Sequence, residues 1–299
     1  MFDFLNRFLT NLEADPQYSA NTTIAYQNDL NQFEKYLHTR DGLMLQHPAE
    51  ITSDVLQGFI THLQERGYAS STVARKLAAV KSFFHYLVQE NVIASAPTAN
   101  IATPRFKKQP PRVLSEEQVE RLLNAPGTGP GSKSTRDRAL LELLYATGMR
   151  VTEIVSLSVH DLDLEAGRVR CLGSNQRERV MPIHSERARQ VLRDYVIRVR
   201  PTLIKQPGQE ALFLNHRGQP LTRQGLWLII KSYAGQAGVA GEVTPHTLRH
   251  SFAHHTLQQG EDIRRLQHLL GHANLSTTQV YAQLNDAGHA QEPPPELQA

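Results

Sequence analysis

The residues between Thr244 and Tyr281 include a set suited to chemistry at phosphorus: His246, Arg249, His272 and Tyr281. A guanidinium donates in a planar fork that matches phosphate oxygens, and an imidazole gives or takes a proton near neutrality. A phenol beside them is a nucleophile that could bond covalently to phosphorus. Spacing is what gathers the set. Thr244-Pro245 reads as the cap and first residue of a helix, with His246 and Arg249 three apart on one face. Phe252, His255 and Thr256 continue that helix, and Gly260 is placed to end it. A second helix, Asp262 to Leu270, turns Ile263, Leu266, Leu269 and Leu270 inward; Gly271 breaks it and presents His272. Ser276 reads as the cap of a third helix, which puts Tyr281 just inside it. Any one of these residues is ordinary on a helix surface. The ordered set is not.

The elements that must hold the set are mostly helical. Over residues 1–103 apolar stripes run Phe2 to Leu12, then Ile24, Tyr26, Leu30, Phe33, Tyr36 and Leu37. Thr52-Ser53 reads as the cap of a helix closed by Gly67, and Ser70-Ser71 as the cap of another carrying Val73, Leu77, Val80, Phe83, Phe84 and Leu87. Four such helices make a compact bundle. Pro97, Pro104 and Pro110-Pro111 then impose an extended segment. Ser115 to Gln118 is a capping box, and Arg136 to Ala146 a strongly apolar helix ended by Gly148. Arg150 sits at the turn that follows, with Glu153 able to face it. Residues 161–183 read as a hairpin or three-stranded sheet, Glu186 to Arg198 as a helix, and Ala211 to Leu214 as a short buried strand. Thr222 caps a further helix.

Composition narrows the class. With 40% hydrophobic and 20% charged residues, the chain has an ordinary globular mix. It lacks an apolar run of about 18 residues and a basic-then-apolar start, so neither a membrane span nor a secretory signal is expected. The lone Cys171 rules out an intramolecular disulfide framework and suits a cytoplasmic setting. The net charge of +3 is unevenly distributed. Residues 1–103 hold 7 Lys+Arg against 10 Asp+Glu, a net −3, while residues 104–299 hold 25 against 19, a net +6. Arg105, Lys107, Lys108 and Arg112 form a basic run that suits either a solvated linker or a phosphate-contacting strap.

The run from His246 to His250, the run Leu269-Leu270-Gly271-His272-Ala273-Asn274-Leu275-Ser276-Thr277-Thr278-Gln279, and the Tyr281 that follows resemble the catalytic core of the tyrosine recombinases. That is the phage-integrase-like family, and the likeness is closest to the Xer type that resolves chromosome dimers. Ala146 to Glu153 is similar to the family's first arginine motif, with Glu153 as partner to Arg150. The likeness covers nearly the whole chain. It implies a mainly α fold with a small β-sheet: a SAM-like helical core-binding bundle over 1–103, a basic linker over 104–114 and a catalytic domain over 115–299. It implies Tyr281 as nucleophile, Arg150 and Arg249 as stabilisers of the charged phosphate, His272 as a phosphate hydrogen-bonding group and His246 as base. A base is needed because a free phenol has a pKa near 10. No metal or other cofactor is implied, since the 3′-phosphotyrosyl bond conserves the energy needed for rejoining. Ser71, Arg75, Lys76 and Lys81 on the last bundle helix, with Lys107 and Lys108 in the linker, would contact DNA. The implied partners are a double-stranded recombination site, a tetramer with itself or a paralogous recombinase, and a DNA translocase as regulator. The setting is chromosome partition at cell division, in the cytoplasm.

One departure stands out. The family usually carries G-K-G-x-K-x-R in the hairpin turn, whose first lysine protonates the departing 5′ oxygen. Ser174 occupies that place, and no lysine occurs between Lys133 and Lys205. Arg177 and Arg179 remain, but a guanidinium is a poor proton donor. Either another acid substitutes, with His184, His272 or a bound water as candidates, or cleavage is slow. The prolines at 293–295 also leave room for only a short final helix, where relatives dock a longer one on a neighbour. Rival readings are a phage or mobile-element integrase, a DNA-binding protein with weakened catalysis, and a type IB topoisomerase.

Overall fold

The computed structural model describes residues 2–15, 18–39, 47–104, 110–127, 131–173 and 178–289, with side chains as far as Leu284. The chain divides into two compact units, Met1–Lys108 and Gln109–Ala299. Among the described residues no helix is long and apolar enough to cross a membrane.

In the first unit α1 (Phe2–Ala14), α2 (Ala20–Thr39), α3 (Ser53–Glu65) and α4 (Ser70–Gln89) surround one apolar core. Thr52 caps α3 as the sequence suggests, its hydroxyl accepting from the Val55 amide at 3.5 Å. Aromatic rings fill the centre edge to face: Phe33 meets Phe59 at 4.9 Å and Phe8 meets Phe83 at 5.6 Å. Two sequence expectations are corrected here. Ile24 is 55% exposed. Six residues before Leu30, it lies about a third of a turn off the buried face. Ser70 and Ser71 lie inside the first turn of α4, whose N-cap is Ala69 with no side-chain bond to the free amides.

The second unit is built round α6 (Ser132–Thr147), where Leu140, Leu141, Leu143 and Leu144 are all buried. A helix apolar on every side belongs in a core rather than on one. Before it, α5 (Glu116–Asn124) starts with the expected capping box between Ser115 and Gln118. After it, α7 (Val151–Val155) leads through a 3-10 turn at Val159–Asp161 to β1 (Leu162–Asp163), β2 (Arg168–Leu172) and β3 (Glu178–Pro182). The sheet is antiparallel in the order β1-β2-β3, with Cys171 opposite Arg179 and Leu172 opposite Glu178. Val169, Cys171 and Met181 face the core. Ser174 to Arg177, which close this hairpin, lie outside the described residues.

The helix expected over 186–198 runs further, as α8 (Glu186–Asp194), a π turn at Tyr195–Val199 and α9 (Arg200–Leu203). Pro201 has no N–H to donate, and the Arg200 amide bonds five residues back to Tyr195, widening the turn. Ala211 to Leu214 is not a strand within a sheet and makes only isolated bridges. Side chains share in satisfying its backbone: Tyr195 Oη donates to Leu212 O at 3.0 Å and accepts from the Leu214 amide at 3.2 Å, while Arg200 Nε donates to Ala211 O at 3.0 Å. The last helices are α10 (Arg223–Gln236), α11 (Pro245–Gln258), α12 (Ile263–Leu270) and α13 (Ser276–His289). Thr244 caps α11 with Pro245 at its first position, and Gly271 ends α12 in the left-handed conformation, both as the sequence suggests.

Candidate active site

Gly148 ends α6 at φ +57°, and a Cβ there would come within 2.2 Å of Phe252 Cδ1. That glycine turns the chain so that Arg150 caps α7 and Glu153 sits in its first turn. The buried Glu153 carboxylate then takes three groups. Its Oε2 accepts the Arg150 amide at 2.7 Å and its Oε1 accepts Arg150 Nη1 at 3.0 Å. Arg179, from β3, donates to both oxygens, at 2.9 Å and 2.7 Å. Burial pushes the Glu153 pKa up, but the hydrogen bonds from Arg179 and the Arg150 amide outweigh it and hold the pKa below normal. The same carboxylate overcomes the burial of Arg179 and raises its pKa. Both stay charged.

Three guanidinium groups meet at the C-terminus of α12. Arg179 Nε donates to Leu269 O at 2.9 Å, Arg249 Nη2 to Leu270 O at 2.6 Å, and Arg150 Nη2 to Gly271 O at 3.1 Å. The last carbonyls of a helix lack intrahelical partners and carry its negative dipole end, so cations suit them. Arg249 also donates to Gly148 O at 2.6 Å, tying α11 to the turn that presents Arg150. Gly271, at φ +61°, leaves room there: a Cβ would meet Arg179 Nη1 at 3.0 Å.

His272 follows directly. Its Nε2 lies 3.1 Å from Arg249 Nη2 and its Nδ1 lies 2.9 Å from Thr278 Oγ1. A guanidinium only donates, so Nε2 is the acceptor and the ring proton sits on Nδ1, facing Thr278. Burial, then the charges of Arg249 and Arg150, pull the His272 pKa down to about 4. Burial and the Arg150 charge also bring Arg249 down to about 10, still protonated at neutral pH.

Tyr281, on α13, is 3% exposed, and its Oη lies 2.7 Å from Nδ1 of His250. Its ring lies nearly parallel to that of His272, with centroids 6.5 Å apart. Burial raises the Tyr281 pKa, and the nearby Arg249 and Arg150 oppose the rise. His246, on the same helix face as His250, holds its ring 6.4 Å from that ring. Burial, then His246 and Arg249, bring His250 down to about 4. His246 is lowered too, by burial and then Arg249 and Arg150.

Direct bonds thus link Arg249 with His272, and all five expected catalytic residues meet in one network of contacts and charges. Sequence reasoning passed over His250, although its offset of four from His246 puts both on one face of α11. It noticed Arg179 without finding its partner. A cavity of about 420 Å³ opens beside Arg150, Arg179, Arg264, His268 and His272, with Gly173 and Glu178 from the hairpin at its edge. His184, expected as a substitute acid, instead lines a separate cavity of about 500 Å³ with Tyr145 and His255. Among the described residues no three His, Cys, Asp or Glu side chains form a metal cluster.

The residues expected to meet DNA in the first unit divide. Ser71 is exposed at the start of α4. Lys76 is 7% exposed, donates to the buried Asp29 at 2.9 Å and lies over the Tyr68 ring. Its ammonium serves the fold, supplying a buried countercharge to the buried Asp29 carboxylate. Arg75 pairs with the same carboxylate but keeps its side chain 48% exposed. Lys81 bridges Ile101 O at 2.7 Å and Thr103 Oγ1 at 3.1 Å. Lys107 and Lys108 lie outside the described residues.

Comparisons with known proteins identify the family. The model of the phage integrase family matches residues 112–287, and that of the phage integrase N-terminal SAM-like domain matches residues 5–91. Tyrosine recombinase XerC of Roseiflexus castenholzii is 48% identical over 287 residues, covering 95% of this chain and 90% of that one. Tyrosine recombinase XerD of Halalkalibacterium halodurans is 40% identical over 277 residues, covering 93% and 91%. The crystal structure of XerH site-specific recombinase bound to palindromic difH substrate, a post-cleavage complex, shares the fold with a TM-score of 0.76 at 23% identity, over 96% and 94% of the two chains. The chain belongs to the phage integrase family: it is a tyrosine recombinase, an enzyme that cuts DNA strands and rejoins them.

Proposed function

We propose that the chain is a site-specific recombinase of the Xer type, resolving chromosome dimers in the cytoplasm before segregation. Tyr281 Oη attacks the scissile phosphorus and leaves a 3′-phosphotyrosyl bond with a free 5′ hydroxyl. Arg150 and Arg249 neutralise charge growing on the non-bridging oxygens, as donors fixed in advance do at a transition state. His272 hydrogen-bonds the phosphate by taking a proton on Nε2, which the negative charge of the bound phosphate favours, and His246 belongs to the proton path. Residues 115–299 form the catalytic domain, and residues 1–103, with the tether at 104–114, grip the duplex. Ser71, Arg75, Lys107 and Lys108 face its backbone; Lys81 holds the exit of the bundle.

The observation that carries this reading is the meeting of a buried phenol with Arg249, His272 and a second arginine, Arg150, around the end of α12. One phenol per chain cuts one strand, so exchange between two duplexes calls for four copies: this chain alone, or this chain with a paralogue. A DNA translocase acting at the division site fits the same role. Denaturing-gel detection of an adduct on a nicked dimer-resolution site tests the proposal. Wild type forms the adduct, and Tyr281→Phe binds the same DNA without forming it. An adduct in the Phe variant removes Tyr281 as nucleophile.

A second reading, slowed cleavage, is favoured by Ser174 at the usual lysine's place. Loss of a general acid typically costs about 10²–10⁴-fold. A substrate with a 5′-bridging sulfur leaves without a proton and is expected to be cut faster than ordinary DNA. Equal rates on the two substrates rule this reading out.

A further inference from the structure

The imidazole in contact with the phenol is not the one the family motif points to. Nδ1 of His250 lies 2.7 Å from Tyr281 Oη, while His246 stands one turn back on α11 and is exposed. Tyr281 Oη is buried, so the first acceptor its proton can reach is the one already bonded to it. We propose that His250 is a catalytic residue of the cleavage step: its Nδ1 accepts the phenolic proton as Tyr281 Oη bonds to phosphorus. The inference rests on Tyr281 being the nucleophile.

The step balances as follows. A lone pair of Oη forms the Oη–P bond, and the Oη–H bond breaks with its proton going to Nδ1. The P–O5′ bond breaks, its electron pair stays on the 5′ oxygen, and water supplies that oxygen's proton. Rejoining reverses each transfer, with the Nδ1 proton returning to the departing phenol. The surroundings suit the role. Burial, then His246 and Arg249, keep His250 neutral at working pH, which leaves a ring nitrogen free to accept. The bound phosphodiester brings negative charge that favours the imidazolium once it forms. His246, with its ring 6.4 Å away and in contact with solvent, is placed to exchange that proton with water.

Single-turnover cleavage by the full chain, on a nicked duplex carrying a site where wild type forms an adduct, tests the proposal. The adduct must first be shown to vanish in Tyr281→Phe; an adduct there would defeat the nucleophile reading, whatever His250 does. His250→Ala and His250→Asn are expected to bind DNA normally and melt near wild type, yet cleave about 10²-fold or more slowly. The Asn variant matters because its amide keeps a hydrogen-bonding atom near Nδ1 but cannot take a proton. Placing 3,5-difluorotyrosine, a more acidic phenol, at position 281 should recover at least about tenfold in the Ala variant and little in wild type. Wild-type cleavage by the Asn variant would show that His250 only positions the ring, and would overturn the proposal. So would wild-type cleavage by the Ala variant, or a loss that the acidic phenol does not relieve.

Discussion

Glu153 is where two arginines from different elements are joined, one from the turn after α6 and one from β3. Glu153→Gln keeps the shape but turns an acceptor into an N–H aimed at guanidinium hydrogens. It also leaves Arg179, 6% exposed at its side chain, without a counter-charge. Breaking a buried pair from one side typically costs about 3–5 kcal/mol. Arg150 is nearly one-third exposed and contributes less to that loss. The single tryptophan, Trp227 on α10, belongs to this unit, so its fluorescence in urea reads the change directly. A pH dependence follows at the same scale. His250 and His272 titrate from about 4 in the fold against 6.5 when free. Between those values the unfolded chain binds more protons, so stability falls as pH drops from about 6.5 toward 4. The loss is on the order of 3 kcal/mol for each ring at most, and His272→Asn should flatten the Trp227 unfolding midpoint against pH. Both rings owe their depressed values first to burial, which a motif does not display. The types and order of Arg150, His246, Arg249, His272 and Tyr281 were legible in the sequence. The contact between His250 and Tyr281 was not, because the two lie 31 residues apart.

Capping chemistry makes several elements readable from residue order alone. Thr52, the box at Ser115 and Gln118, Thr222 and Thr244 all start helices where their hydroxyls suggest. What failed depended on distant partners. The inward turn of Asp29 is explained by Lys76, 47 residues on, and the backbone of Ala211 to Leu214 by side chains of the helix that starts at Glu186. The glycine turns can be tested as elements. Gly148 and Gly260 both follow long helices at positive φ, yet a Cβ at Gly260 would meet nothing within 4 Å, whereas at Gly148 it would strike Phe252. Gly260→Ala therefore carries only backbone strain, about 1 kcal/mol. Gly148→Ala adds displacement of Phe252 and of the carbonyl that holds Arg249, for a total of several kcal/mol. Unfolding midpoints should separate the two variants. Cleavage rate should too, since only Gly148 both precedes the turn that presents Arg150 and holds Arg249 through its carbonyl.

At the scale of the molecule, the charge imbalance is informative where the total is not: the bundle is net acidic and the rest net basic. A net acidic bundle can still bind DNA by presenting a few cations on one side, but Lys76 is withdrawn from that role by Asp29. The remaining question is how many copies act together, and the chemistry gives a counting argument. With Tyr281 as the proposed nucleophile each copy supplies one phenol, so replacing a fraction of the chains with Tyr281→Phe is expected to thin the active assemblies by a power law. Strand cleavage on a suicide substrate needs one active copy and should fall in direct proportion. Complete exchange between two duplexes needs four cuts. In equal mixture, a symmetric assembly of four copies of this chain retains about 6% of its recombination, the fourth power of one half. If two of the four places belong to a paralogue with its own phenol, about 25% remains, the square of one half. Titrating the Phe variant into wild type, and reading cleavage and recombination on the same DNA, separates these cases. A recombination signal that tracks cleavage linearly would mean that one copy completes the reaction, as a topoisomerase does, and would remove the four-copy assembly.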